Sequence, residues 1–216
     1  MQITTQPANL TALQAIVPSG TGTGAASNMP VLNRFSEFLV SEWMPRYYAA
    51  AMSQNMYTLA NTTGQTTSAG TSTTFVGLVL ANPPTNNKSF VITKVSLGFN
   101  VVFGAIANVG IMAMASATAF SPTATGSSIA STYQGAAINS AAKYGTSASL
   151  PVAPTYIKSL GQGLTGAVTT IPYILYTTDL EGSLILPPGG YLCTYTSAAS
   201  GASAMFASFD WLEVPV

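Results

Sequence analysis

The most regular pattern along the chain is an alternation of apolar and polar positions over residues 91–101. Every second side chain there is apolar or β-branched, at Val91, Thr93, Val95, Leu97, Phe99 and Val101. A period of two places neighbouring side chains on opposite faces of an extended backbone, so the pattern predicts a half-buried β-strand. The apolar run at 73–80 predicts another strand, which ends at the turn-forming sequence Asn82-Pro83-Pro84.

More strands are predicted in the second half of the chain. We place them at 109–115, 128–134 and 155–160, and then at 171–177, 183–186, 191–196 and 205–214. Gly182, 187–190 and 197–203 supply turns between the last four. The stretch 115–150, rich in Ala, Ser, Thr and Gly, predicts long loops. Short strands without helices between them indicate a mainly β fold, an antiparallel β-sandwich, and we favour a jelly roll.

One helix is predicted before the strands begin. Apolar side chains recur at helical spacing, at Leu32, Phe35, Leu39 and Trp43. Pro30 suits the first turn of this helix, and Pro45 kinks or ends it. Residues 47–56 allow a second short helix. The apolar face of the first helix either packs on the chain's own sheet or docks a partner subunit.

Residues 1–29 are predicted to form an extended N-terminal arm. Pro7, Pro18 and the glycines between 20 and 24 leave no apolar period and little to bury. Such an arm either becomes ordered against a neighbouring subunit or remains a loose chain end. The predicted organisation is therefore an arm at 1–29, a helical segment at 30–56 and a β-sandwich domain at 57–216.

Charged residues are unusually scarce. They make up 6% of the chain, as six acids and six bases, against about a quarter in an ordinary soluble domain. Charges keep monomers apart in solution, so this protein must bury much of its surface or cover it with neutral polar groups. Burial against copies of the same chain satisfies the first requirement, and a hydroxyl-rich monomer satisfies the second.

Neither a nucleic acid nor a membrane is an expected partner. The basic residues are scattered, whereas phosphate binding needs clusters of Lys and Arg. Residues 101–120 are largely apolar and long enough to cross a bilayer. Asn108, Gly104 and Gly110 interrupt this stretch, which favours short β-strands instead. The start of the chain has neither a basic segment nor an apolar run, so we expect no signal peptide.

The residue types that most enzymes use are missing. The chain contains no His, which removes Ser-His and Cys-His nucleophile pairs and imidazole metal ligands. Its single cysteine, Cys193, lies in a strand-like pattern, and we interpret it as a small core hydrophobe rather than a reactive thiol. Residues 161–166 superficially match a glycine fingerprint but lack the strand-then-helix context of a phosphate loop. We therefore expect a protein that is not an enzyme and that uses no cofactor.

The acidic residues offer few candidate ligands. Asp179 and Glu181 form the tightest cluster, either a weak calcium site or a solvated turn, and we favour the turn because few other acids accompany them. Asp210 and Glu213 flank Trp211 in the last predicted strand, and we expect them to face solvent or a subunit boundary. We accordingly predict no catalytic, cofactor-binding or metal-binding residue.

Two stretches carry a recognisable combination of motifs. The first runs from the helical Arg34-Phe35-Ser36-Glu37 to Tyr47-Tyr48 and continues through NMYTLANTTG and LVLANPPTNNKSFVITKVSLGF. The second is LILPPGGYLCTYTSAASGASAMFASFDWLEVP at the C-terminal end. Together they cover about half of the chain. In this combination they resemble small structural proteins of tailed-bacteriophage virions.

The resemblance implies a structural protein of a phage particle, of the trimeric jelly-roll kind that decorates the head, or a minor capsid subunit. It implies a homo-oligomer, with a homotrimer favoured, that binds other virion proteins such as the major capsid protein. The implied localisation is the virion, assembled in the host cytoplasm. The position on the particle stays open.

An alternative function follows from the aromatic residues. Tyr133, Tyr144 or Tyr156, on loops of the sandwich, would stack on sugars. The chain would then be a carbohydrate- or receptor-binding module on a phage head or tail fibre. The bland interpretation of these tyrosines is that they are ordinary core and rim residues.

Overall fold

The computed structural model describes residues 46–124, 126–163, 174–202 and 204–216. Within these ranges the chain forms one short helix and ten strands. They are α1 (Tyr48–Met52), β1 (Met56–Asn61), β2 (Thr74–Ala81), β3 (Lys88–Phe99), β4 (Ala107–Ala115), β5 (Ser127–Ser131), β6 (Lys143–Ser149), β7 (Thr155–Gly163), β8 (Ile174–Leu186), β9 (Gly190–Thr196) and β10 (Met205–Pro215).

The strands build two antiparallel five-stranded sheets that pack face to face. Sheet 1 has the order β5-β1-β10-β3-β8, and sheet 2 has the order β6-β2-β9-β4-β7. The pairs β1/β10, β2/β9, β3/β8 and β4/β7 are nested along the chain. One long hairpin rolled into two sheets produces this nesting, which is the jelly-roll arrangement. The predicted mainly β, jelly-roll-like sandwich is therefore confirmed.

The two additional strands come from the connection between β4 and β7. β5 pairs with β1 at the edge of sheet 1, and β6 pairs with β2 at the edge of sheet 2. Each strand thus extends one sheet beyond the eight nested strands. Because β5 and β6 pair with them, β1 and β2 make ladder hydrogen bonds on both sides and keep fewer unpaired backbone groups.

The core lies between the two sheets and is built on period-two alternation. Trp211 of β10 packs between Tyr57 of β1 and Phe90 of β3, with ring centroids 5.8 Å away on each side. Leu59, Leu97 and other side chains of sheet 1 meet the inward side chains of sheet 2. The buried residues of sheet 2 in this core include Leu78, Leu80, Ala107, Val109, Ile111, Ala113 and Leu192.

A second apolar cluster covers the outer face of sheet 2. Tyr191 and Cys193 of β9 point away from the main core yet are fully buried. Phe120, from the β4–β5 connection, meets the Tyr191 ring edge-on at a centroid distance of 5.1 Å, and Leu150 joins the same cluster. Because both faces of β9 are covered, its sequence YLCTY lacks the polar positions of a half-exposed strand.

Two of the predicted strands prove to be one. The stretches 171–177 and 183–186 belong to the single strand β8, apart from 171–173, which lie outside the described residues. The predicted turn at Gly182 is a bulge, with positive φ angles of 51° at Glu181 and 84° at Gly182. Asp179 pairs with Lys94, and the next paired residue of β8, Leu184, lies opposite Ile92. The bulge therefore adds extra residues to β8 relative to β3. Glycine at positive φ accommodates a bulge as readily as a turn, so the sequence signal was ambiguous.

The prediction of long loops over 115–150 is wrong for β6, which lies wholly within this stretch. β5 covers part of the strand predicted at 128–134. β6 contains one large apolar residue, Tyr144, among Lys, Gly, Ser, Thr and Ala, so its own sequence predicts no strand. Pairing with β2 imposes the extended conformation on it.

The N-terminal predictions fall mostly outside the described residues. The arm at 1–29 and the helix over 30–44 lie there entirely. The second short helix expected within 47–56 is present as α1, but it ends at Met52, and Met56 already begins β1. Gln54, between the two elements, has a positive φ of 58°.

The apolar stretch 101–120 contains the strand β4. Its alternation sends Val109 and Ile111 into the main core and Met112 into the outer cluster of sheet 2. In the portion of the chain that the structure describes, helical structure never reaches the length and apolarity of a membrane crossing.

Two phenylalanines on β10 test which side chains of this strand face the core and which face outward. Phe209 is fully buried in the core, whereas Phe206 points to the outer face of sheet 1 and is 41% exposed. We expect Phe209→Ala to lower the free energy of unfolding by about 3–5 kcal/mol, because it leaves a core cavity. Phe206→Ala should cost about 1 kcal/mol or less. Urea unfolding measures both, and similar losses would contradict the assigned faces.

Candidate functional site

The outer face of sheet 1, formed by β1, β10, β3 and β8, exposes an apolar groove at one end. Leu175 of β8 and Phe206 of β10 lie in register on either side of Gly98 of β3. Leu175 is 69% exposed. Because Gly98 carries no side chain and Ser96 and Ser208 carry short ones, a shallow groove of about 270 Å³ forms between the larger residues.

The other end of the same face carries a second apolar strip. Val91 of β3 lies opposite Ile185 of β8 and Leu212 of β10. Ile185 is 54% exposed, and Val214 is exposed on β10 nearby. Period-two alternation produces both strips, since these are the outward positions of strands whose inward positions fill the core.

Polar residues separate the two apolar strips. Lys94 lies opposite Asp179 on β8 and Asp210 on β10, and its Nζ is 3.9 Å from Asp179 Oδ1. In the next row the Thr177 hydroxyl donates to Ser96 Oγ at 3.2 Å. The face therefore has two exposed apolar strips with a narrow polar row between them.

Asp179 and Glu181 interact with different basic residues and do not form one cluster. Asp179 faces Lys94, while Glu181 accepts hydrogen bonds of 2.5 and 3.2 Å from the Arg46 guanidinium. Arg46 lowers the pKa of Glu181, first through these hydrogen bonds and then through its charge. Leu180 between them is buried. Among the described residues no group of three potential metal ligands occurs, and both acids are exposed parts of β8 and its bulge.

The expectation for Asp210 and Glu213 holds for only one of them. Asp210 lies on the outer face of sheet 1, but Glu213 is buried, and the prediction that it faces solvent or a boundary is wrong. Glu213 lies two positions after Trp211, so alternation puts both on the inner side of β10. Its carboxylate pairs with Lys88 Nζ at 3.0 Å and accepts from the Ser140 hydroxyl at 2.5 Å.

Cys193 is buried, as predicted. It lies in the outer cluster of sheet 2, next to Met112 across the β4/β9 ladder. Burial raises the pKa of the Cys193 thiol well above its usual value, because the charged thiolate would lose its hydration. Its position matches a small core hydrophobe.

The three candidate stacking tyrosines lie far apart. Tyr144 is on β6 and packs partly buried against the main core. Tyr156 is on β7 and packs against Tyr195 with the rings tilted by 51° at a centroid distance of 4.4 Å. β6 and β7 are opposite edges of sheet 2, four strand spacings or about 19 Å apart. Tyr133 follows β5 at the edge of sheet 1, so the three do not form one sugar-stacking surface.

A compact pocket lies where several loops meet at one end of the sandwich. We call it the loop-end pocket; its volume is about 210 Å³. It is lined by Ala81, Asn82, Pro83, Pro84, Thr85, Thr118, Ala119, Phe120, Ser121, Lys143 and Gly189. The Asn82-Pro83-Pro84 turn is visible in the sequence, but nothing there indicates that Phe120 and Lys143 come to lie beside it.

Substitutions of Lys88 and Glu213 test whether this ion pair is buried. Lys88→Gln leaves the Glu213 carboxylate buried without its cation, and we expect the free energy of unfolding to fall by about 3 kcal/mol. Lys158→Gln, at an exposed position on β7, is the matched control and should change it by about 0.5 kcal/mol or less. The double variant Lys88→Gln/Glu213→Gln should recover part of the loss, since no unpaired charge remains. Equal effects of both lysine variants in urea unfolding would contradict the buried pair.

The thiol provides a second test. Ellman's reagent should leave Cys193 unlabelled in the native protein at pH 8 and label it on unfolding. In the fold the reagent does not reach the buried thiol, and burial disfavours the reactive thiolate. Ser149→Cys, at an exposed position on β6, should add one rapidly labelled thiol in the native state. Rapid labelling of the unsubstituted native chain would contradict the burial of Cys193.

Comparison with known proteins identifies no relative. No protein-family model, curated protein or solved structure matches the chain. The function proposed below therefore rests on the residues and on the geometry of the described part of the chain.

Proposed function

We propose that this chain is a non-enzymatic structural subunit of a bacteriophage particle, a capsid decoration protein or minor capsid subunit that self-associates and binds the particle shell. The observation that carries the proposal is the outer face of sheet 1, where Leu175, Phe206 and Ile185 are exposed around a narrow polar centre. Exposed apolar patches bordered by polar residues are typical of protein–protein contacts.

The size of the face fits such a contact. Four strands that each occupy about 4.8 Å give a width of about 19 Å, and the seven paired rows from Val91 to Gly98 give a length of about 23 Å, so the face covers about 450 Å². Covering it with a partner surface of equal size buries about 900 Å² in total, near the lower bound for a specific interface. In the favoured homotrimer this face of one copy meets a different surface of the next copy, since a three-fold ring uses heterologous contacts.

Two further features support the virion assignment. The jelly roll is a recurrent architecture of viral capsid proteins, an analogy of fold rather than of site. The stretches that resemble phage virion proteins also form β1, β3, the end of β8 and β10, which are the four strands of the outer face. The resemblance and the candidate interface thus fall on the same strands.

The acidic residues support a role without catalysis. The chain has no His, and three of the four acidic side chains that the structure describes are engaged in ion pairs. Glu213 is held by Lys88, Glu181 by Arg46, and Asp179 by Lys94. A general acid or base would instead need a carboxyl group free to exchange a proton with a substrate.

Light scattering coupled to size-exclusion chromatography tests self-association. We expect a trimer of about 67 kDa, three times the 22.2 kDa chain. The double variant Leu175→Asp/Phe206→Asp should elute as a monomer, because it places charges within the apolar contact. Ile106→Asp is the matched control, since Ile106 is also 69% exposed but precedes β4 in sheet 2.

A second chain, lacking residues 1–29, separates the face from the arm. If the truncated chain remains trimeric, the contact belongs to the sandwich, and if it becomes monomeric, the arm takes part. A monodisperse monomer for the full chain, unaffected by either set of substitutions, would contradict self-association through sheet 1.

A further inference from the structure

We propose that the loop-end pocket binds a carboxylate-bearing sugar residue, such as a uronic acid within a surface glycan. This site lies among the connecting loops rather than on the outer face of sheet 1, and the proposal does not depend on the structural role proposed above. Three features carry it: an unpaired cation, an apolar floor with a hydroxyl rim, and a rigid frame.

The cation is Lys143, at the first position of β6. It is exposed beside the pocket, and within the described residues no carboxylate lies within ion-pair distance of its Nζ. Lys88 and Lys94, by contrast, are paired with Glu213 and Asp179. In a chain with so few charges, an unneutralised cation beside a concave site favours an anionic ligand.

The walls combine apolar and hydroxyl groups. Pro83, Pro84 and Phe120 present ring surfaces on which the C–H face of a pyranose can pack. Thr85, Thr118 and Ser121 are exposed on the lining, where their hydroxyls can exchange hydrogen bonds with sugar hydroxyls. A fatty or purely aromatic ligand would leave these hydroxyls without partners.

The frame of the pocket is held in place before any ligand binds. Asn82 Nδ2 donates to the carbonyls of Lys88 and Leu186, and the Gly189 amide donates to the Asn82 carbonyl at 2.9 Å. Gly189 has a φ of 84°, and a Cβ there would collide with the Ser116 carbonyl oxygen. Because these contacts fix the walls, little binding energy is lost to reorganisation.

The volume selects a ligand of one ring. At about 210 Å³ the pocket is smaller than the roughly 300–1,000 Å³ of sites for drug-sized molecules. A single pyranose with one carboxylate matches this size, the single cation and the hydroxyl rim together. A free peptide carboxyl end would satisfy Lys143 but not the three hydroxyls.

Backbone amide chemical shifts of the 15N-labelled full chain provide the test. Methyl β-D-glucuronide should cause saturable shifts at Thr118, Ala119 and Gly189, and the neutral methyl β-D-glucoside should bind about tenfold more weakly. Inorganic phosphate and N-acetylphenylalanine serve as competing anions. If either shifts the same amides at equal or lower concentration than the glucuronide, the pocket is a general anion or chain-end site and the proposal is overturned.

Two substitutions locate the binding energy. Lys143→Gln should weaken glucuronide binding by about tenfold. Lys158 is also exposed, on β7, and Lys158→Gln should leave binding within about twofold. Thr118→Val should weaken it several-fold by removing a rim hydroxyl while keeping the shape. The absence of saturable shifts in the unsubstituted chain, or equal losses from both lysine substitutions, would overturn the proposal. The chemical-shift titration does not depend on the oligomeric state. Failure of glycan binding is therefore distinguishable from failure of the assembly proposal.

Discussion

The indole of Trp211 packs between Tyr57 and Phe90, and this contact sets the register of β10 against β1 and β3. Burying an aromatic side chain of this size contributes about 4–6 kcal/mol. The gain exceeds the roughly 1–3 kcal/mol cost of its Nε1, which lacks a hydrogen-bond partner among the described residues. A slip of one residue would turn Trp211 and Phe209 outward, so register and core specify each other.

The same register decides what each sheet presents to its surroundings. On sheet 1 it leaves Leu175 and Phe206 facing outward beside short side chains. On sheet 2 the outward positions include Tyr191 and Cys193, and the β4–β5 and β6–β7 connections cover them. Phe120 belongs to both the cover and the loop-end pocket, since it packs on Tyr191 and lines the pocket. One sheet thus keeps an exposed outer face with apolar strips, while the loops over the other build a small concave pocket.

The few charged side chains differ in their surroundings. The buried Lys88–Glu213 pair ties the start of β3 to the end of β10, and its disruption is costly because one partner would stay buried. The exposed Arg46–Glu181 pair contributes little to stability, since water and salt screen it. Lys143 stands apart from these pairs at the edge of the loop-end pocket, and the recognition role proposed for it rests on this separation.

Local pattern in the sequence was sufficient for the fold class and for most strands. The alternation at 91–101 predicts β3, and the apolar run before Asn82-Pro83-Pro84 predicts β2, because period and turn residues are local properties of the chain. The inward position of Glu213 was also available from its spacing to Trp211, although its charge suggested exposure. Cys193 was correctly interpreted as a buried hydrophobe from its apolar neighbours.

Other features were decided only by the tertiary structure. β6 is extended because β2 supplies its hydrogen-bond partners, and β8 is continuous because β3 pairs on both sides of the bulge at Glu181 and Gly182. The outer face of sheet 1 and the loop-end pocket join residues far apart in the chain, such as Gly98 with Leu175, and Asn82 with Lys143. Sequence alone determines which residues can alternate, turn or ionise, whereas the rolling of one hairpin into two sheets determines which of them meet. The physical reason is that these contacts depend on strand pairing and loop packing over long sequence separations, which no local pattern encodes.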